Sequence, residues 1–225
     1  MFIGIHGIRD SGGTTTELLT SFLSSKYGMD ACDFDYPHVR IWNAEKRLDE
    51  NALLLMSFIE SCMAGTFKRL DIAAHSYGAL IVFRALELDR TLRLNNIHVI
   101  APAMKRGVDW GMYAHKFNNV CCYVNPWDIA TRAASVSHLI APRLGSAGHK
   151  GFTDPVVRNH YRKDRSGIWN HSRAWFDRDG LNYLGDHMAG VTVEPSLPGV
   201  RLIPFYIHSI QMLIGPHQKG LPPHL

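Results

Sequence analysis

Short apolar runs alternate with segments of helical periodicity along most of this chain, and that alternation restricts its fold more than any other feature. Residues 2–6, 70–74, 97–101 and 120–124 are strand-length apolar runs. Residues 31–36 and 156–161 are weaker candidates, the first diluted by Asp33 and Asp35. Between them, 14–27 places Leu18, Leu19, Phe22 and Leu23 on one helical face, and Thr14 with Glu17 fits a capping box at its start. Residues 45–64 carry Leu48, Ala52, Leu55, Ile59 and Cys62 along a stripe, 79–88 reads as a mostly buried helix, and 129–139 as a further helix. Parallel neighbours need crossovers, so strands alternating with helices predict a parallel sheet covered on both faces. The expected class is α/β, with a mostly parallel five- or six-stranded sheet.

At 225 residues the chain suits one domain with a sizeable core. We assign 1–185 to that domain and 186–225 to a C-terminal tail that is not a domain of its own. The tail is rich in proline and has an apolar patch at 200–214, with a short amphipathic helix expected after Pro204. Packing on the body or homodimerisation are the expected uses of that patch. The 24 Lys+Arg exceed the 20 Asp+Glu by +4 without any basic run, which argues against a nucleic-acid partner. No stretch of about 18 apolar residues suits a membrane span. The N-terminal residues read as a strand rather than a signal peptide, and Cys32, Cys62, Cys121 and Cys122 show no CxxC spacing. Free thiols in a reducing, cytoplasmic compartment are expected. The segment 137–154, rich in glycine and polar residues, reads as a loop.

In a parallel sheet the chemistry gathers in loops beyond the carboxyl ends of the strands. The first such loop, Gly7-Ile8-Arg9-Asp10-Ser11-Gly12-Gly13-Thr14, nearly fits the phosphate-loop pattern G-x-x-x-x-G-K-[ST]. Gly13 stands where that pattern requires lysine, which removes the charge that reaches the outer phosphates. A nucleotide site is therefore the weaker reading of this loop.

The stronger signal is Leu70-Asp71-Ile72-Ala73-Ala74-His75-Ser76-Tyr77-Gly78-Ala79-Leu80. An apolar strand runs into x-His-Ser-x-Gly and then into a buried helix. That is the nucleophile-elbow pattern G-x-S-x-G, with Ala74 at the first glycine position. A serine in so sharp a turn has strained dihedrals, so residues two before and two after it must be small. Ser-x-Gly alone also suits a helix N-cap; strand, small residues and helix together favour the elbow.

On these residues the chain resembles the alpha/beta-hydrolase superfamily, in particular its compact serine esterases and lipases. The strand ending Ile5-His6-Gly7-Ile8 matches the family segment that carries an oxyanion donor. The resemblance implies Ser76 as nucleophile and the backbone N–H groups of Ile8 and Tyr77 as the oxyanion hole. It further implies an acid after the next-but-one strand, where Asp128 stands; Asp109 and Asp154 are rivals. The base should follow the last strand, where His171 opens His-Ser-x-x-Trp-Phe, with His208 in the tail as rival. His6 and His75 flank the donor and the nucleophile, and structural support is their expected duty. Arg9, Trp110, Tyr113 and Trp127 are expected to line an open substrate pocket. The resemblance implies a small-molecule, lipid or polymeric ester as substrate, and no cofactor. None of the thirteen histidines shows metal-site spacing, so no metal is expected. Two departures matter: the antiparallel strands that usually precede the His-Gly strand are missing, and no helical cap fits between 101 and 120. An inactive fold used for binding is the alternative from another class.

Overall fold

The first apolar run forms β1 (Phe2–Ile5), which lies inside the sheet rather than at its edge. The computed structural model describes residues 1–8, 15–37, 39–64, 69–134, 141–162, 171 and 173–191. The other strands are β2 (Ala31–Phe34), β3 (Asp71–His75), β4 (Asn96–Ile100), β5 (Asn119–Val124) and β6 (Val157–Tyr161). They form one six-stranded sheet in the order β2-β1-β3-β4-β5-β6, with every pairing parallel. Helices are α1 (Thr16–Tyr27), α2 (Ala44–Met63), α3 (Gly78–Leu88), α4 (Ile129–Ala134), α5 (Ala147–Lys150), α6 (Arg173–Phe176) and α7 (Arg178–Met188).

Side-chain alternation divides the core in two. Ile3, Ile5, Ile72, Ala74, Ile97, Val99, Val120, Cys122 and Val124 face α2 and α3, while Phe2, Ala73, Ile100, Cys121 and Tyr123 face α1, α6 and α7. The stripe Leu48, Ala52, Leu55 and Ile59 of α2 is buried as its spacing predicts. Each such aliphatic side chain removed from water contributes about 1.5–3 kcal/mol. The aspartate that weakened the β2 reading has a local partner: Thr20 Oγ1 of α1 donates to Asp33 Oδ2 at 2.5 Å. Burial pushes the Asp33 carboxyl above the usual carboxylate range.

Three local expectations need correction or fall outside. Helix α1 begins at Thr16 with Thr15 at its N-cap, and Thr14, expected to cap it, lies outside the described residues. The segment 137–154 is not all loop, because α5 forms a turn of helix within it. Gly148 of that turn was read as a loop signal, yet it marks a close approach: a Cβ there would stand 2.6 Å from the Ala101 carbonyl carbon. The tail expected at 186–225 lies almost wholly outside the described residues; α7 itself continues to Met188. No helix among the described residues is long and apolar enough to cross a membrane.

Candidate active site

Ser76 follows β3 directly and has φ of 53°, a left-handed conformation that a non-glycine residue adopts at a cost. Its neighbours hold it there. Ser76 N–H donates to the Ile100 carbonyl at 2.9 Å, and its own carbonyl accepts from Ala103 at 3.2 Å. The small residues of the motif are explained by what they touch. A Cβ on Gly78 would lie 2.7 Å from the carbonyl oxygens of both Ile5 and His6. A Cβ on Gly7 would lie 2.9 Å from Ser76 Cβ and 3.5 Å from Ser76 Oγ. The His-Gly end of β1 and the serine turn therefore press together through two glycines.

The His-Gly segment has its own clamp. The His6 ring stacks on Tyr36 at 4.1 Å and 5°, and its Nε2 meets Asp35 Oδ1 at 3.0 Å. The Tyr36 hydroxyl lies 2.9 Å from the His6 carbonyl oxygen and 3.1 Å from that of Gly7, its one proton shared between the two acceptors. These bonds fix the peptide groups that lead to the Ile8 N–H. Tyr77, next to the nucleophile, is anchored by its hydroxyl donating to the Ala44 carbonyl at 2.6 Å. Nothing in the sequence around Tyr36 marks it; only the pairing of β2 beside β1 brings it to His6.

Asp128 begins the turn into α4 and has no exposed surface. Its Oδ1 accepts from the N–H groups of Ala130 (2.9 Å) and Thr131 (3.2 Å), so it caps the helix. Its Oδ2 bonds Nδ1 of His171. Capping and the bond to His171 are thus divided between its two oxygens. The turn that carries it is fixed by Asn125, whose carbonyl accepts from Asp128 N–H at 3.1 Å and whose Oδ1 accepts from Trp127 N–H at 3.0 Å.

The His171 ring lies 4.7 Å from the ring of His75, the residue just before Ser76. His75 also meets Phe176 edge-on at 5.2 Å. Burial holds the His75 pKa well below its usual value, with the neighbouring His171 and His6 adding to the effect, so its imidazole is neutral. The chain before His171 is anchored at Arg162, which donates to Asp177 at 3.3 Å and lies over Trp175. Asp177 in turn caps α7 by accepting from Gly180 N–H at 2.7 Å.

Of the residues expected at the site, Asp128 bonds His171, the His171 ring meets His75 next to Ser76, and Gly7 lies against Ser76. Trp110 is a correction. It was expected at the pocket rim, but it has no exposed surface and is enclosed by Phe83, Phe117 and Phe152. Tyr113 is drawn into the same cluster, edge-on to Phe83 at 5.4 Å. Trp127 is half-buried beside Asp128. Asp109 and Asp154 serve turns: Asp109 accepts from Met112 N–H, and Asp154 from Gly111 and Val156 N–H. Arg9 and His208 lie outside the described residues. A cavity of about 210 Å³ is lined by His6 together with Thr16, Glu17, Asp33 and Asp35, among others.

No family model and no curated protein matches the chain by sequence. Solved structures do match it in shape. A hydrolase from Agrobacterium vitis S4 superimposes with a TM-score of 0.52 at 12% identity, over 84% of this chain and 87% of that one. Alpha/beta hydrolase domain-containing protein 10 from mouse gives 0.51 at 12% identity, over 84% and 88%. The Pyrococcus furiosus esterase Pf2001 gives 0.50 at 12% identity, over 83% and 81%. The order and direction of the six strands, and the placement of helices on both faces, are thus those of a minimal alpha/beta-hydrolase fold.

Proposed function

We propose that the protein is a serine hydrolase that cleaves carboxylic esters through an acyl-enzyme on Ser76. The observation that carries this reading is the buried Asp128 bonded to Nδ1 of His171, with the His171 ring against the residue that precedes a strained serine.

A serine hydroxyl is a weak nucleophile at neutral pH and needs a base. With Nδ1–H committed to Asp128, His171 carries its lone pair on Nε2, the tautomer a base requires. His171 Nε2 takes the hydroxyl proton as Ser76 Oγ attacks the ester carbonyl. The Ile8 and Tyr77 N–H groups donate to the oxyanion of the tetrahedral intermediate, each such donor contributing about 3–4 kcal/mol. As the intermediate collapses, His171 passes its proton to the departing alcohol. Water, deprotonated by the same imidazole, then releases the acid and restores the serine. Asp128 keeps the imidazole oriented and stabilises its charged form throughout. Residue types and charges here require no cofactor for any of these steps. Trp127 is assigned to the mouth, and Arg9, outside the described residues, suits a polar or anionic group on the substrate.

The test is covalent. A fluorophosphonate probe should label the wild-type chain and leave Ser76→Ala unlabelled, and the same substitution should abolish cleavage of a short p-nitrophenyl ester at unchanged melting temperature. Labelling that persists in Ser76→Ala would refute the nucleophile. A folded wild type that is neither labelled nor active would favour a binding role instead.

A further inference from the structure

On the sheet face covered by α7, a group of histidines is enclosed away from the proposed triad. His98 of β4 and Cys121 of β5 are direct neighbours across the ladder, and two residues on, Tyr123 neighbours His160 of β6. Helix α7 brings His187 over them. One ring nitrogen of His98, the Cys121 sulfur and one ring nitrogen of His187 all lie within 4.8 Å of one another. His98 and Cys121 are buried and His187 is half-buried.

The surroundings orient these groups. The Tyr123 hydroxyl lies 2.9 Å from His98 Nδ1 and 2.8 Å from His187 Nδ1. One hydroxyl can donate to only one of the two rings and must accept from the other, so the two imidazoles are held in opposite tautomers. The His160 ring stands 4.5 Å from that of His187, and its Nε2 is buried with no hydrogen-bond partner among the described residues. Three imidazoles and a thiol are an expensive filling for an apolar face, because buried polar groups cost stability unless each is satisfied. As donors, however, imidazole and thiolate are the set that suits zinc.

We propose that His98, Cys121 and His187 bind a zinc ion, with His160 taking the fourth position, and that the ion fastens α7 to the sheet. Zinc bonds of about 2.0–2.1 Å to nitrogen and about 2.3 Å to sulfur put tetrahedral donors about 3.4–3.6 Å apart. The donors must therefore draw together by about 1 Å from their present spacing. His98 and Cys121 are set by the ladder, so most of the movement falls to His187, in the last turn of α7. On binding, the thiol proton leaves to solvent, the sulfur ligates as thiolate, and the imidazole whose ligating nitrogen bears the proton shifts it to its other ring nitrogen, with no change of oxidation state. Arg158, in register with Cys121, puts a positive charge beside the group, which the ligated thiolate offsets. Four protein donors leave no open position, so the site is structural rather than catalytic. It escaped the sequence reading because its ligands come from separate strands and a helix, with no short-range spacing.

The full-length chain, stripped with a chelator and dialysed, tests this without reference to hydrolysis. It should take up one equivalent of zinc at micromolar concentration. Cobalt(II) in its place should show a thiolate-to-metal charge-transfer band. Cys121→Ser should abolish the band, and His187→Ala, at a half-buried position, should weaken zinc binding by about tenfold or more. His115→Ala, at an exposed position, should change neither. No stoichiometric uptake by the wild type would overturn the proposal. So would binding of equal affinity in folded His187→Ala, or a cobalt spectrum without a sulfur band.

Discussion

Replacing Asp128 by asparagine tests the proposed triad with little disturbance to the fold, because the structure dictates which way the amide must point. Oδ1 accepts two backbone N–H groups, from Ala130 and Thr131. If the amide nitrogen took that place, it would set donors against donors, and each unsatisfied buried N–H would cost about 1–3 kcal/mol. The asparagine oxygen therefore stays at the cap and its NH₂ replaces Oδ2, facing His171. Two donors cannot share that contact, so His171 must turn Nδ1 into an acceptor and carry its proton on Nε2. The base then has no lone pair for the serine proton. The expected loss in kcat is about ten-thousand-fold, roughly 5.5 kcal/mol of barrier. Stability should change little, since the cap survives. Asp128→Ala should lose a similar amount of activity and also the cap, about 1 kcal/mol, which lowers the melting temperature by about 2–4 °C. Ester hydrolysis and thermal melts on the two variants decide the matter. Asp128→Asn retaining activity within tenfold of wild type would refute the tautomer argument and with it the role given to Asp128.

Gly78→Ala should destabilise the chain by about 1–3 kcal/mol or more and depress hydrolysis, since its Cβ would press at 2.7 Å on two carbonyl oxygens of the β1 end; urea unfolding measures the first, and an unchanged midpoint would contradict the contact. His75 makes a prediction in acid. Its folded-state pKa is lowered while the unfolded chain takes up a proton near pH 6.5, so stability should fall as pH drops below about 6.5, by up to about 1.4 kcal/mol per pH unit from this residue. Unfolding free energies between neutral pH and pH 5 should be flatter for His75→Phe, and an identical slope would show that the residue is not held neutral. Finally, with glycine at position 13, ATP or GTP with magnesium should not raise the melting temperature; a saturable stabilisation above about 1 kcal/mol would restore the phosphate-loop reading.

What could be read from the sequence divides along physical lines. The strands and the long helices were legible because each depends on local demands: alternation and a 3.6-residue stripe. Chain order alone pointed to Asp128, whose bond to His171 joins distant parts of the chain. Trp110 was misplaced because an indole in a short connection has the same local signature whether it turns outward or, as here, into a nest of Phe83, Phe117 and Phe152. The Tyr36 clamp and the His98–Cys121–His187 group were hidden for a related reason. Both are made by strands that become neighbours only in the finished sheet, so no window of sequence contains them.

The strand order also has a consequence for synthesis. β1 is flanked by β2 and β3, both encoded downstream of it. At about 5–20 residues per second, roughly 4–14 s separate the emergence of Ile5 from that of His75. Through that interval Phe2, Ile3 and Ile5, all without exposed surface in the finished protein, lack the second of the two ladders that shelter them. A nascent chain in this state presents an apolar strand with an open edge, the kind of segment that aggregates or engages a chaperone. The central position of β1, which presses the His-Gly turn against the serine, thus delays the protection of its own apolar residues.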